Sequence, residues 1–497
     1  MPPKKPPMRS DELFRRQLDN MIDMEHPLVK LAGLIDWSRF DEAYGRFYTQ
    51  KGRPALPTRL MAGLHLLKHM DGLSDEAVCA RWVENPYWQY FCGEQFFRLK
   101  LPFDRSSMTR LRGRIGPDKL VLLLVETIAV AMRTQAVTPQ ACERVTVDTT
   151  VQTKAVAHPT DSHLMMRGIE TLNRLAKRHG VKLRQSFLRV GKHAHREVAR
   201  LIHGSGHKQA MRWVRKLRTW LGRLDRDIGR KIAGNDIMET VFAAARDRTA
   251  RRVLTQRAGD TDKLYAFHAP EVECIAKGKA RSRYEFGVKI SIAVTNARTA
   301  GGQFIVGMQS LPGNPYDGHT LTGQIEQVER LTGIAVERAY VDRGYRGHKH
   351  SGKAEVYIAH SRGISSPTIK RELKRRNAVE PIIGHTNSDG LLERNPIAGA
   401  AGDAINALLV AAGHNLRLLV AWLVTLCVPG SQIGSRYCNP PRSPPEPSVV
   451  RYITAVRVRL RAAASIRMRI ALLTGDSLAV ERIDQIPLAR PHPEEHP

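Results

Sequence analysis

Cysteine is scarce in this chain of 497 residues, and its placement excludes two common ways of stabilising a fold. The six cysteines are scattered along the sequence, and no two of them have the Cys-x-x-Cys spacing. This pattern argues against a disulfide framework and against a structural zinc site. It is typical of a protein that stays in a reducing cytoplasm.

Long apolar segments are also missing. The first residues, Met-Pro-Pro-Lys-Lys-Pro-Pro, contain no apolar stretch of the kind found in signal peptides, so none is expected. The most apolar predicted helices, near Leu120–Met132 and Leu416–Val428, are too short or too interrupted to cross a bilayer. The sequence therefore predicts a soluble intracellular protein.

Acidic residues are few relative to basic ones. The chain has 48 Asp and Glu against 78 Lys and Arg, a formal net charge of +30. Such an excess indicates a polyanionic partner, with nucleic acid favoured over a membrane surface. Residues 163–234 alone carry 19 basic and 4 acidic residues. Leu and Trp recur there at helical spacing, which predicts a basic helical insertion at about 163–258 that contacts DNA phosphates. A solvated charged face is the alternative.

Two segments combine a strand with a carboxylate. The apolar residues that open Ala339–His348 predict a buried strand ending at Asp342, and Gly344 allows a sharp turn after it. Arg144–Val151 alternates β-branched residues and carries Asp148. Sheets of α/β proteins place catalytic groups at such strand ends. A simple acidic cap on the strand is the alternative.

The order of predicted elements indicates an α/β fold with a mixed five-stranded sheet and flanking helices. The strand with Asp148 is followed by a hairpin within 284–310, a helix, the strand with Asp342 and one further strand. If the first and fourth strands are neighbours, Asp148 and Asp342 come together. A helix at Pro367–Gly384, with a kink or a helix restart expected at Pro381, could add a third carboxylate.

The regions before and after this core differ in kind. Residues 1–135 predict an all-helical N-terminal domain, in which two helices flank a turn at Asp71-Gly72 as in a helix-turn-helix. DNA binding and plain helical packing are equally good interpretations of that pair. Residues 140–430 hold the predicted catalytic domain. The segment 439–497 has nine arginines, no lysine and nine of the 28 prolines, which predicts a disordered tail.

Carboxylates grouped around one point repel each other unless cations lie between them. Ligand sets made only of oxygen atoms favour Mg²⁺ or Mn²⁺ over zinc. Two such ions, roughly 3.5–4 Å apart, can activate a water or a 3′-hydroxyl and stabilise the leaving oxygen in phosphodiester cleavage. The chain has 48 acidic residues, so this pattern alone is not specific.

Several motifs together resemble the DDE transposases of bacterial insertion sequences, in the insertion-sequence-five group, which have an RNase H-like catalytic core. The resemblance covers roughly residues 15–425. The matching stretches are Val147–Gln152, His158–Asp161, His268–Cys274, Tyr284–Lys289, Asn314–Thr320, Val341–Gly347, Arg376 with Glu380, and Pro381–His385.

The resemblance implies that Asp148, Asp342 and Glu380 form a catalytic triad that binds two Mg²⁺ or Mn²⁺ ions. The implied partners are the double-stranded DNA of the transposon ends and of the target, and a second copy of the chain in a homodimer. The implied location is the bacterial cytoplasm, at the nucleoid. The residues assigned to DNA contact are Arg376, Lys289, Arg343, Lys216 and Arg218.

The chain departs from the family pattern near the third acid. Leu373 stands where the family has a tyrosine, and Asn387 stands where it has a lysine. Glu372 is a rival to Glu380 on the same predicted helix. A catalytically impaired copy that only binds DNA is therefore the second hypothesis. A structure-specific nuclease on the same fold is the third, because a fold does not choose its substrate.

Overall fold

The computed structural model describes residues 17–47, 55–204, 206–257, 259–260, 262–276, 283–361 and 364–427. The predicted tail at 439–497 lies outside the described residues. The N-terminal part is helical, as expected from its patterning. Its helices are α1 Pro27–Leu34, α2 Ser38–Gly45, α3 Thr58–Met70, α4 Asp75–Glu84, α5 Pro86–Phe91, α6 Ser106–Ile115, α7 Pro117–Arg133 and α8 Pro139–Cys142.

The α3–α4 pair forms as its local sequence predicts. Gly72 takes a φ of +62° in the turn, where a residue without a Cβ is unstrained. The Ser74 hydroxyl then accepts a hydrogen bond from the Ala77 amide at 3.1 Å and caps α4. The exposed side of α4 carries Glu76 and Glu84 beside one basic residue, Arg81, so it has no excess of positive charge. DNA binding by this pair stays a prediction.

A mixed sheet follows, and the predicted α/β class is confirmed at that level. Five strands form the order β4–β3–β1–β5–β6, in which β1 is antiparallel to β3 and parallel to β5. The short strand β2 pairs with the start of β3, on the same edge as β4, so the sheet has six strands where five were predicted. The strands are β1 Arg144–Thr153, β2 Glu273–Ala276, β3 Tyr284–Thr295, β4 Ile305–Leu311, β5 Arg338–Val341 and β6 Glu355–Ile358.

The basic segment between β1 and β2 folds into helices around a hydrophobic core of its own. Buried residues of that core include Leu172, Leu217, Leu221 and Phe242. The amphipathic spacing that the sequence shows is therefore the spacing of a packed helical insertion. Its helices are α9 Asp161–Arg178, α10 Leu188–Leu201, α11 His207–Ile232 and α12 Asp236–Asp247, and a π-helical turn covers Arg248–Val253.

The remaining helices cover the sheet. They are α13 Asp317–Thr332, α14 Pro367–Arg375, α15 Val379–Ser388 and α16 Gly399–Cys427, with a 3-10 turn at Arg376–Ala378 between α14 and α15. The kink or helix restart expected near Pro381 takes the form of a restart, since α15 begins at Val379, two residues before the proline. Pro381 then lies in the first turn of α15, where its missing N–H costs no helical hydrogen bond.

The long helix α16 corrects the expectation that this segment is too interrupted to span a bilayer. By length and composition it could cross a membrane, and 67% of its most apolar window is buried inside the protein. It packs against α3, α7 and β4. One continuous hydrophobic core extends from the N-terminal helices through the sheet to α16. The packing is therefore that of a central core helix.

Candidate active site and DNA-binding residues

The register between β1 and β5 brings the two predicted aspartates together. The two strands pair in parallel, and each aligned pair, such as Thr146 with Tyr340, is 194 residues apart. Asp148 and Asp342 have the same separation, so continuing the register by two residues sets them side by side. Asp342 directly follows the last residue of β5. Two carboxylates on adjacent strands therefore meet at the carboxyl end of β5.

Alternation along the strands shows which side of the sheet carries this pair. Arg144 lies on the same face of β1 as Asp148, and Arg338 and Tyr340 lie on the matching face of β5. Glu372 of α14 contacts all three: Arg144 and Arg338 donate to its carboxylate at 2.9 and 3.2 Å, and the Tyr340 hydroxyl also donates to it. Glu372 is buried. It is thus held in a structural network away from the aspartate pair.

One turn later on the same helical segment, Arg376 reaches the aspartate pair. Its Nη2 donates to Oδ2 of Asp148 at 2.8 Å. The other carboxylate oxygen of Asp148 accepts from the Thr149 amide at 2.8 Å, and Oδ1 of Asp342 accepts from the Gly344 amide at 2.8 Å. The guanidinium thus balances one of two neighbouring negative charges. Backbone amides fix the orientation of both carboxylates.

Glu380 lies one further turn along, on α15, and its side chain is exposed. The helix α15 packs against β1, so this acid is on an element that touches the strand of Asp148. Among the residues that the structure describes, no group of three or more His, Cys, Asp or Glu side chains is arranged to hold a metal ion. Of the predicted triad, the structure thus brings Asp148 and Asp342 together and places Glu380 on a neighbouring helix.

Asp317, at the start of α13, is a neighbour of this site that the sequence reasoning did not single out. Its Oδ1 accepts from the ammonium group of Lys289 at 3.0 Å, and Lys289 also donates to the Pro315 carbonyl at 2.8 Å. A Cβ placed on Gly344 would lie 3.2 Å from Asp317 and 3.0 Å from Asp342. The signal was present, because Asp317 belongs to the Asn-Pro-Tyr-Asp-Gly-His-Thr motif.

The hydroxyl of Tyr345 is affected by the negative charge of the site. It is fully buried. Burial, followed by the nearby carboxylates of Asp148, Asp317 and Asp342, holds the pKa of its hydroxyl well above the usual value. The phenol therefore stays protonated at neutral pH. Tyr345 thus places a neutral buried phenol beside three carboxylates.

Of the residues assigned to DNA contact, three are at the aspartate site and two are in the helical insertion. Arg343 is exposed directly beside Asp342, whereas Lys289 and Arg376 are engaged with acids of the site. In the insertion, the ammonium of Lys216 lies 4.2 Å from the centre of the Trp213 ring. Arg218 donates to the Leu254 carbonyl at 2.6 Å.

Comparisons with known proteins agree with part of this interpretation. Residues 16–114 match the family model of a transposase domain, DUF772. The protein ORF8 of the nfe locus of Rhizobium meliloti, itself uncharacterized, is 52% identical over 203 residues, which are 41% of this chain and 98% of that protein. No solved structure matches the chain.

Residues 16–114 are thus of the transposase-domain class. The chain as a whole belongs to the same family as ORF8, a relative that it covers almost from end to end.

Proposed function

We propose that the protein is a DDE transposase of the insertion-sequence-five group with an RNase H-like catalytic core. The observation that carries the proposal is the parallel register that sets Asp148 beside Asp342. The strand order supports it, because three antiparallel strands followed by two parallel ones are the expected RNase H-like arrangement. The match to a transposase domain supports the choice of DNA as the substrate.

The donor atoms of the aspartate pair suit Mg²⁺ or Mn²⁺. Both residues offer hard carboxylate oxygens, and backbone amides already orient them. We assign Asp148 and Asp342 as the residues that hold the metal, and Glu380 as the third acid. When bound, the metal would supply an activated water or hydroxyl and a counter-charge for the leaving oxygen.

Arg376 has a double role in this proposal. Its guanidinium pairs with Oδ2 of Asp148, an oxygen that a metal ion would also need, so Arg376 would give up this contact if the metal were bound. Displaced from Asp148, Arg376 is a ready partner for a phosphate of the substrate, to which it can donate two parallel hydrogen bonds. Arg343 is exposed and directly follows Asp342, so it can contact a second phosphate.

The reaction proposed has two stages. The protein binds the terminal inverted repeats of its element, cleaves the DNA at the ends, and joins the 3′-hydroxyl groups to target DNA. Two ends must be held together during this process, so we propose that a homodimer acts. Its proposed location is the cytoplasm, at the nucleoid.

The test is metal-dependent nicking of duplex DNA that carries the sequences bordering the gene. The wild-type chain should nick this duplex with Mg²⁺ and not with EDTA. Asp342→Asn should abolish nicking and still bind the duplex, because the carboxylate is exchanged for an amide of the same shape. Full nicking activity in that variant would refute the assignment.

A catalytically impaired, DNA-binding copy is the second candidate, and one observation favours it. Asn387 stands where the resemblance leads one to expect a lysine, and its side-chain oxygen is buried without a hydrogen-bond partner among the described residues. A buried acceptor without a partner destabilises the fold, because it has lost its hydrogen bonds to water. If the copy is impaired, Asn387→Lys should raise nicking or end binding. A wild-type chain that nicks as fast as this variant contradicts the impaired-copy hypothesis.

A further inference from the structure

The basic insertion contains an open cleft of about 1160 Å³ between α9 and α10. Five basic side chains line it, four from α9 and one from α10, and all five are exposed. Glu170 is the one acidic residue among the lining residues. The cleft is thus a concave surface of mainly positive charge. The five residues are Arg167, Arg174, Lys177, Arg178 and Lys192.

The residues of α9 follow one face of the helix. Arg167, Arg174 and Arg178 are seven and four residues apart, and Lys177 lies beside Arg178, so their side chains form one row. From Arg167 to Arg178 the row spans about 16 Å at 1.5 Å per residue. One strand of B-DNA has a phosphate for about every 3.4 Å of helix axis. The row is therefore long enough to follow about five phosphates of one strand.

Most of these charges have no acidic partner among the residues that the structure describes. Arg167 pairs with Glu170 at 2.8 Å. Arg174 contacts only the Thr171 hydroxyl, at 3.4 Å, and no ion pair within the described part of the chain involves Lys177. Arg178 and Lys192 likewise take part in no ion pair among the described residues. An ordinary solvated helix face would balance such charges with acids three or four residues away.

The rest of the insertion shows that such pairing is available to this sequence. On α11, Asp227 pairs with Lys231 at 2.9 Å, and Asp225 pairs with Arg246 of α12 at 3.1 Å. Along the described cleft, Arg167 alone of the row has such a partner. Apolar side chains, among them Leu188, form part of the cleft surface. A low-dielectric wall next to unbalanced charge concentrates the positive potential in the cleft.

We propose that this cleft binds the sugar-phosphate backbone of one strand of double-stranded DNA. The inference rests on the proposed function in taking DNA as the ligand, and it adds a second contact surface outside the aspartate site. The contacts are charge-based and independent of base sequence. The cleft thus holds the DNA, while the aspartate site performs the proposed chemistry.

The experiment measures binding of the full chain to a fluorescent duplex of about 30 base pairs and arbitrary sequence. EDTA is present, so that cleavage cannot intervene. The affinity is followed between about 50 and 200 mM NaCl. The test variant is Arg174→Gln/Lys177→Gln/Arg178→Gln. The control variant, Arg212→Gln/Arg215→Gln/Arg223→Gln, removes three exposed charges from α11 that do not line the cleft.

The cleft variant should lower the slope of log affinity against log salt by about 3, close to one for each lost phosphate contact, and weaken binding more than tenfold at 100 mM NaCl. The control variant should change the slope by less than about 1. Equal losses in both variants, or none in the cleft variant, would overturn the proposal. Should the triple variant fail to fold, Lys177→Gln and Lys192→Gln are measured singly. Each should lower the slope of log affinity against log salt by about 1.

The outcome also separates this inference from the proposed function. If the wild-type chain binds no DNA, both fail. If it binds and nicks DNA but the cleft variant keeps its full salt slope, only the assignment of the cleft fails.

Discussion

The two glutamates of the α14–α15 segment provide a sharp test of which acid is structural and which is catalytic. Glu372 has 4% of its side chain exposed and accepts hydrogen bonds from Arg144, Arg338 and Tyr340. Glu380 lies eight residues on and is exposed. We expect Glu372→Gln to destabilise the fold and Glu380→Gln to abolish metal-dependent cleavage at unchanged stability.

The magnitude for Glu372→Gln follows from its contacts. Removing one partner of a buried ion pair costs about 3 to 5 kcal/mol of unfolding free energy. The side chains of Arg144 and Arg338 are 28% and 25% exposed, so water recovers part of that cost. Gln also keeps the shape and one acceptor. A loss of about 2 to 3 kcal/mol remains, which lowers the melting temperature by about 2 to 3 °C in a folded unit of this size.

The matched variant controls for the loss of a carboxylate from the same helical segment. Glu380→Gln should stay within about 0.5 kcal/mol of the wild type, as exposed substitutions usually do. Thermal unfolding followed by circular dichroism measures the stability, and nicking of duplex DNA with Mg²⁺ measures the activity. Wild-type stability in Glu372→Gln, or wild-type nicking in Glu380→Gln, would refute the reasoning.

Three further predictions concern the N-terminal helices and the contact that α16 makes with them. Gly413→Ala should destabilise the protein by at least about 1 to 3 kcal/mol in urea unfolding, because the new Cβ would lie 2.4 Å from the backbone of His69. Asp75→Asn should cost about 3 kcal/mol in the same assay, since it leaves the buried side chains of Lys68 and Arg112 without their counter-charge. Stability should also fall in acid below about pH 4. Although burial opposes it, hydrogen bonds from Arg112 and the charge of Lys68 hold the pKa of Asp75 well below its usual value. A wild-type acid transition in Asp75→Asn would contradict that last prediction.

The parts of the fold that depend on local sequence were predictable. Alternating β-branched residues gave the strand of Asp148, and the Asp71-Gly72 break with the Ser74 cap gave the α3–α4 turn. The strand β2 was missed because its four residues, Glu-Cys-Ile-Ala, include a single β-branched residue and no alternation of polar and apolar side chains.

The parts of the site that depend on distant contacts were not predictable. The partners that bury Glu372 lie 228 residues away at Arg144 and 34 away at Arg338, and no local pattern marks them. The pairing of Asp317 with Lys289 likewise depends on how α13 packs beside β3. The sequence predicted that Asp148 and Asp342 meet only by assuming that their strands are neighbours, and the register supplies that adjacency.

The stripe from Glu372 through Arg376 to Glu380 connects stability to the proposed chemistry. Its members are four residues apart and run along one face of the sheet, from the buried network past Asp148 to an exposed end. Because Glu372 anchors the segment, exchange of Arg376 between Asp148 and a phosphate requires only a side-chain movement. A helical segment that is fixed at its buried end can thus present Arg376 and Glu380 to the proposed DNA partner without the cost of ordering a loop.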